Sequence, residues 1–136
     1  MLRQIITTVT SALTEAGVPE VYSSFDAASP ERMGRGIFTV VGIGRFESST
    51  PVYSEYTMYL PFKAEVTIDV TAPERWNVAR LYDYYGEKLE PALRSFSGMT
   101  SSVAGITIRH DSNISRLVLS VKLCVSGITR IERSTE

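Results

Sequence analysis

The sequence has few of the residues that disulfides, metal sites and redox centres use. Cys124 is its one cysteine, so an internal disulfide and a multi-cysteine zinc site are excluded. The formal net charge of -1 provides no overall field that would attract nucleic acid or an anionic membrane. No uninterrupted apolar run approaches the roughly 20 residues that span a bilayer. We therefore expect no membrane partner and no direct sequence-specific binding of nucleic acid.

The N-terminal residues also lack the order of a signal peptide, because residues 1–4 lead directly into an amphipathic pattern. We expect a protein that is made in the cytoplasm and either stays there or joins a particle assembled there. The 136 residues are 43% hydrophobic and 21% charged, an ordinary globular balance. A chain of this length can bury a sufficient core without disulfides or metals. We predict a single domain over residues 1–136.

Two segments have the three- and four-residue spacing of apolar side chains that is typical of amphipathic helices. The first covers residues 2–16. Gly17 follows it in the usual place of a C-terminal glycine, and Pro19 prevents continuation. An isolated helix of this length is marginal in water, so its apolar stripe must lie on another element.

The second helix is predicted to open at residues 71–74, with Thr71 as its cap and Pro73 in its first turn. Pro91 falls inside the helix and is expected to kink or split it. Residues 97–98 end it. The predicted apolar stripe consists of Val78, Leu81, Tyr82, Tyr85, Leu89, Ala92, Leu93 and Phe96.

The clearest strand pattern covers residues 60–70, where apolar and polar side chains alternate. Pro61 should lie near an edge or the beginning of this strand, because proline cannot donate to a ladder. Gly42 and Gly44 are candidate bulge positions in an earlier strand. The other predicted strands cover residues 21–25, 37–46, 103–108 and 117–125.

Four segments are predicted to connect or extend these elements. Residues 26–36 form an exposed charged loop, and residues 47–59 an exposed loop or protruding hairpin. Residues 110–113 form the turn between the last two strands. Residues 128–136 form a polar tail that frays unless a neighbour holds it.

The resulting order is α-β-β-(β)-α-β-β. We predict an α+β fold in which two helices pack on one face of a mainly antiparallel sheet.

Candidate catalytic residues are sparse. His110 is the one histidine, and its position in a predicted turn favours an exposed residue over a general base. Cys124 has no histidine-rich surroundings, so a buried or partly buried strand cysteine is favoured over a nucleophile. Asp83, Glu87 and Glu90 have helical spacing and favour a solvated helix face over a metal site.

The glycine-containing segments do not complete a phosphate-binding motif. Residues 34–36 and 42–44 each have the pattern Gly-x-Gly, but no full dinucleotide fingerprint or phosphate-loop lysine accompanies either one. No Gly-x-Ser-x-Gly elbow is present. We therefore predict a protein that is not an enzyme and that holds no cofactor or metal.

Segments suited to binding other proteins are the main functional indication in the sequence. The charged loop at 26–36, the tyrosine-rich segment at 51–59 and the polar C-terminus are long for so small a domain, and long loops are commonly functional. Tyrosine and methionine are enriched where proteins meet. A covering role for these tyrosines at the edge of the core is equally consistent with the pattern.

The layout resembles the tail terminator, or tail-completion, proteins of tailed phages and phage-derived particles. The likeness is carried by the helix at 2–16, by the strand at 60–70 leading into residues 71–74, and by the strand at 117–125. It covers nearly the whole chain and is topological, since this family has no sharp catalytic motif. Pro91 within the second helix is not something that the family pattern requires.

The resemblance implies a homo-oligomeric ring, usually of six copies, that stops growth of the tail tube and joins it to the head. The partners would be the tail tube protein and the head–neck connector proteins, within a virion assembled in the bacterial cytoplasm. A ring uses heterologous contacts, in which one patch meets a different patch on the next copy. Under this hypothesis the contact residues are Arg32, Arg35, Arg45, Tyr53, Tyr56 and Tyr59.

Three alternatives stay open. The chain is also compatible with another neck or tail subunit of a phage-like particle. A dimeric α+β module would hold a small ligand near Trp76 and the tyrosines of the second helix. An enzyme would need a site assembled across subunits from Asp69, Arg109, His110 and Asp111.

Overall fold

The computed structural model describes residues 2–24, 36–94, 96 and 98–132. Its helical elements are α1 (Leu2–Glu15), α2 (Val78–Tyr84), a π-helical segment (Tyr85–Leu89) and α3 (Glu90–Leu93). Its strands are β1 (Val21–Ser23), β2 (Phe38–Ser48), β3 (Val52–Tyr53), β4 (Thr57–Pro73), β5 (Met99–Asp111) and β6 (Arg116–Glu132). The α2, π-helical and α3 segments follow one another without a break and form the second helix. This content confirms the predicted α+β class.

The strands of the described residues form one six-stranded sheet in the order β1-β2-β4-β6-β5, with β3 paired to β4. β1 runs parallel to β2, and the other pairs are antiparallel. The sheet is therefore mainly antiparallel, as predicted. β4 and β6 pair over their full 17-residue lengths and are the longest strands of the sheet.

Both helices lie on one face of the sheet. On β4, Val66, Ile68 and Val70 are completely buried and point towards the helices, whereas the intervening Glu65, Thr67 and Asp69 are only partly covered. Leu13 of α1 and Leu81 of α2 are equally buried in the same core. We call the sheet face that carries Glu65 and Asp69 of β4 the open face, because it is the face opposite this core.

The predicted start of the second helix is wrong. Thr71 and Pro73 belong to β4, where they pair with Val118 and Arg116 of β6, and Thr71 is buried. The helix begins after Asn77, whose side chain accepts a hydrogen bond from Arg80 N at 2.7 Å. Pairing with a long neighbouring strand thus outweighs the local cap signal.

Pro91 changes the hydrogen-bond register of the second helix instead of ending it. The π-helical segment immediately precedes α3, and Pro91 lies in the first turn of α3. Glu90 N donates to Tyr85 O, five residues back. Since proline has no amide to offer its carbonyl partner, a wider turn just before it accommodates the missing bond.

The predicted irregularities of the strands have clear positions. The β2–β4 register shifts between Ile43 and Arg45, which places a bulge at Gly44 as predicted. Pro61 lies inside β4. Its backbone nitrogen and carbonyl oxygen face the gap between β2 and β3, where Ser49 N donates to Pro61 O at 2.9 Å. An amide is not required at that place, so proline is tolerated.

Two predicted connections are partly strand. His110 and Asp111 end β5, and the turn to β6 consists of residues 112–115. Of the predicted tail, residues 128–132 belong to β6 and pair with residues 57–61 of β4. Most of the predicted loop at 26–36 lies outside the described residues, as do residues 133–136.

Candidate interaction surface

At one end the sheet narrows to three strands. β2 has ended at Ser48 and β5 begins only at Met99, so β3 and the ends of β4 and β6 continue alone. We call this three-stranded extension, residues 52–61 and 128–132, the arm. Met58 pairs with Tyr53 on one side and Ile131 on the other, and the neighbouring row joins Val52, Tyr59 and Arg130.

A tight turn holds the β3–β4 hairpin of the arm. The backbone N–H of Ser54 donates to Thr57 O at 2.7 Å, and Ser54 Oγ lies 3.1 Å from the same carbonyl. Thr57 is buried although it lies next to the tip. The segment predicted as an exposed loop or hairpin at 47–59 is therefore a hairpin extension of the sheet with a fixed turn.

The arm exposes large apolar side chains on both faces. Alternation along the strands places Tyr53 and Ile131 on the helix side, and Val52 and Tyr59 on the open-face side. The exposed fractions range from 37% to 62% for Val52, Tyr53, Tyr56, Tyr59, Ile128 and Ile131. Several large apolar side chains exposed on one short extension are typical of a protein–protein contact.

The structure brings together some of the predicted contact residues and separates others. Tyr53, Tyr56 and Tyr59 lie on the arm. Arg45 lies on the open face, where it pairs with Glu65 in the ladder and forms an ion pair with Glu47.

Glu65 is six residues from Tyr59 on β4, a separation of about 20 Å along the strand. Arg45 therefore belongs to a different surface from the tyrosines. Arg32 and Arg35 lie outside the described residues.

Two arm residues were missed in the sequence, namely Ile128 and Ile131. The prediction of a fraying tail assigned them to no element. The signal that was available is the β-branched content of residues 128–131, which favours a strand. A long β4 without a partner at its N-terminal end also required another strand beside it.

The middle of the open face, around Glu65 and Asp69, is polar and internally paired. Ser120 Oγ donates to Asp69 Oδ1 at 2.7 Å, and Lys122 Nζ lies 3.5 Å from Glu65 Oε1. A concavity of about 510 Å³ lies on this face, and its lining includes Arg45, Lys63 and Cys124. Cys124 is exposed there, so its predicted burial is wrong. It follows the outward alternation of β6, next to Leu123 and Val125, which are buried.

A second exposed apolar patch lies on α2. Val78 and Tyr82, one helical turn apart, are 44% and 53% exposed although both were predicted to lie in the buried stripe. The helix begins after its cap, Asn77, and turns Leu81 inward, which leaves these two side chains outward. We call Val78 and Tyr82 the α2 patch.

Trp76 contacts side chains of the second helix. The ligand-binding alternative placed this residue at a pocket. The Arg80 guanidinium carbon lies 3.8 Å from the centroid of the indole ring, and the Tyr84 ring meets the indole edge-on at 5.9 Å. Burial raises the pKa of Tyr84 above its usual value. The indole ring of Trp76 therefore packs against Arg80 and Tyr84 of the same chain.

Two arginines, Arg75 and Arg116, lie near each other where the C-terminal end of β4 meets the start of β6. Arg116 Nη1 donates to Gly36 O at 2.8 Å, and its guanidinium lies 5.1 Å from the centroid of the Phe38 ring. Burial, together with the nearby charge of Arg75, lowers the pKa of Arg116.

The residues considered for an enzyme site do not share one face. His110 points to the helix side of β5, whereas Arg109 and Asp111 point to the open face and approach each other to 3.2 Å. His110 Nε2 lies 3.7 Å from Glu74 Oε2. Within the described ranges, no three histidine, cysteine, aspartate or glutamate side chains converge as a metal ion would need.

No helix among the described residues is both long enough and apolar enough to cross a membrane. No protein-family model matches the sequence, and no curated protein matches it.

Proposed function

We propose that this protein is a structural assembly subunit, and specifically a tail terminator of a phage-like particle. In this role copies of the chain form a ring, usually of six, that occupies the end of the tail tube and joins it to the head–neck connector. No bond is made or broken, so the chain is not an enzyme and needs no cofactor. It would act in the virion, after assembly in the bacterial cytoplasm.

The arm is the observation that carries the proposal. It exposes apolar side chains on both of its faces, including Tyr53 and Ile131 on one and Val52 and Tyr59 on the other. A protein that worked as a monomer would gain nothing from this exposure and would risk aggregation. Burial of the arm against neighbouring chains removes that cost.

The order of elements supports the choice of this particular assembly. An N-terminal helix, strands with a long connection, a second helix and a closing hairpin are present in the order on which the resemblance to tail terminators rests. The same order also suits another neck or tail subunit, which would use the arm in the same physical way and differ only in its partners.

Imaging tests the proposal directly. Purified protein, in a concentration series, is examined by negative-stain electron microscopy and by native mass spectrometry. We expect rings with a central hole and a mass of six chains. A tight dimer at all concentrations, with no rings, would contradict a tail terminator and favour the small-ligand module.

A further inference from the structure

We draw no further inference here: the strongest candidate, the outer edge of β5, where Ile106 and Ile108 are only partly buried and no strand of the described residues pairs on that side, carries no proposal because nothing in the structure shows what covers it.

Discussion

Gly127 is the position at which the smallest change should have the clearest effect on the fold. It lies in β6 opposite Phe62 of β4 and Met99 of β5, at the base of the arm. A Cβ atom built on Gly127 would lie 3.0 Å from both Cε1 and Cζ of Phe62 and 3.1 Å from Gly98 O. Phe62 has little room to withdraw, because it is buried and stacks on Phe46 with ring centroids 6.1 Å apart.

The change Gly127→Ala therefore overpacks the base of the arm. Overpacking typically costs about 1–3 kcal/mol, and loss of glycine's freedom in the unfolded chain offsets about 0.4–1 kcal/mol. We expect a net loss of about 1–2 kcal/mol in the free energy of unfolding, equivalent to a fall of roughly 4–8 °C in the melting temperature of a chain of this size. Urea unfolding followed by circular dichroism measures the first quantity.

Gly105→Ala is the matched control. Gly105 is also a strand glycine, and nothing lies within 4 Å of the position of its added Cβ. We expect no loss of stability from this change. A Gly127→Ala protein as stable as its parent would refute the close packing of β6 on Phe62, and a partial rescue by Phe62→Leu would support it.

Three further predictions concern the second helix and the core. Asn77→Ala should lower the free energy of unfolding by about 1 kcal/mol, because Arg80 N loses its cap acceptor, whereas Asn77→Asp should retain it; urea titration distinguishes the two. Tyr84→Phe should be neutral or stabilising at pH 7, since the buried Tyr84 hydroxyl has no hydrogen-bond partner among the described residues. Burial raises the folded-state pKa of Tyr84 above the ordinary tyrosine value of 10.0, so its contribution to stability is present below pH 10 and is lost as the pH rises through the folded-state pKa. Tyr84→Phe should therefore reduce the fall in melting temperature in alkaline buffer. Leu119→Ala removes a completely buried side chain of β6 and should cost about 2–5 kcal/mol, whereas a loss below about 1 kcal/mol would contradict its place in the core.

The strands with strict alternation were the most predictable part of the fold. On β4, the apolar residues from Phe62 to Val70 all face the helices, because a period of two assigns each side chain to one face. The ends of the strands were less predictable. Thr71 and Pro73 resemble a helix start locally, but they are held in β4 by β6, a partner more than forty residues away in the chain.

The candidate surface was only partly predictable for a related reason. Tyr53, Tyr56 and Tyr59 stand out by composition, and the structure places them on one arm. Ile128 and Ile131 complete that arm only through pairing with residues 58 and 61 of β4, which no local pattern specifies. The exposure of Val78 and Tyr82 depends on where α2 begins, and that position was misassigned.

The central claim is that the arm is an assembly surface, and the mass of the protein in solution tests it most directly. Sedimentation velocity is measured over a concentration series for the parent and for a variant with Tyr53→Ser, Tyr56→Ser and Tyr59→Ser. We predict association of the parent towards a six-chain species and a monomeric variant that keeps the circular dichroism spectrum of the folded chain; its melting temperature should not depend on concentration, whereas that of the parent should. Equal association of the two proteins would contradict the claim, as would a parent that shows no association at any concentration.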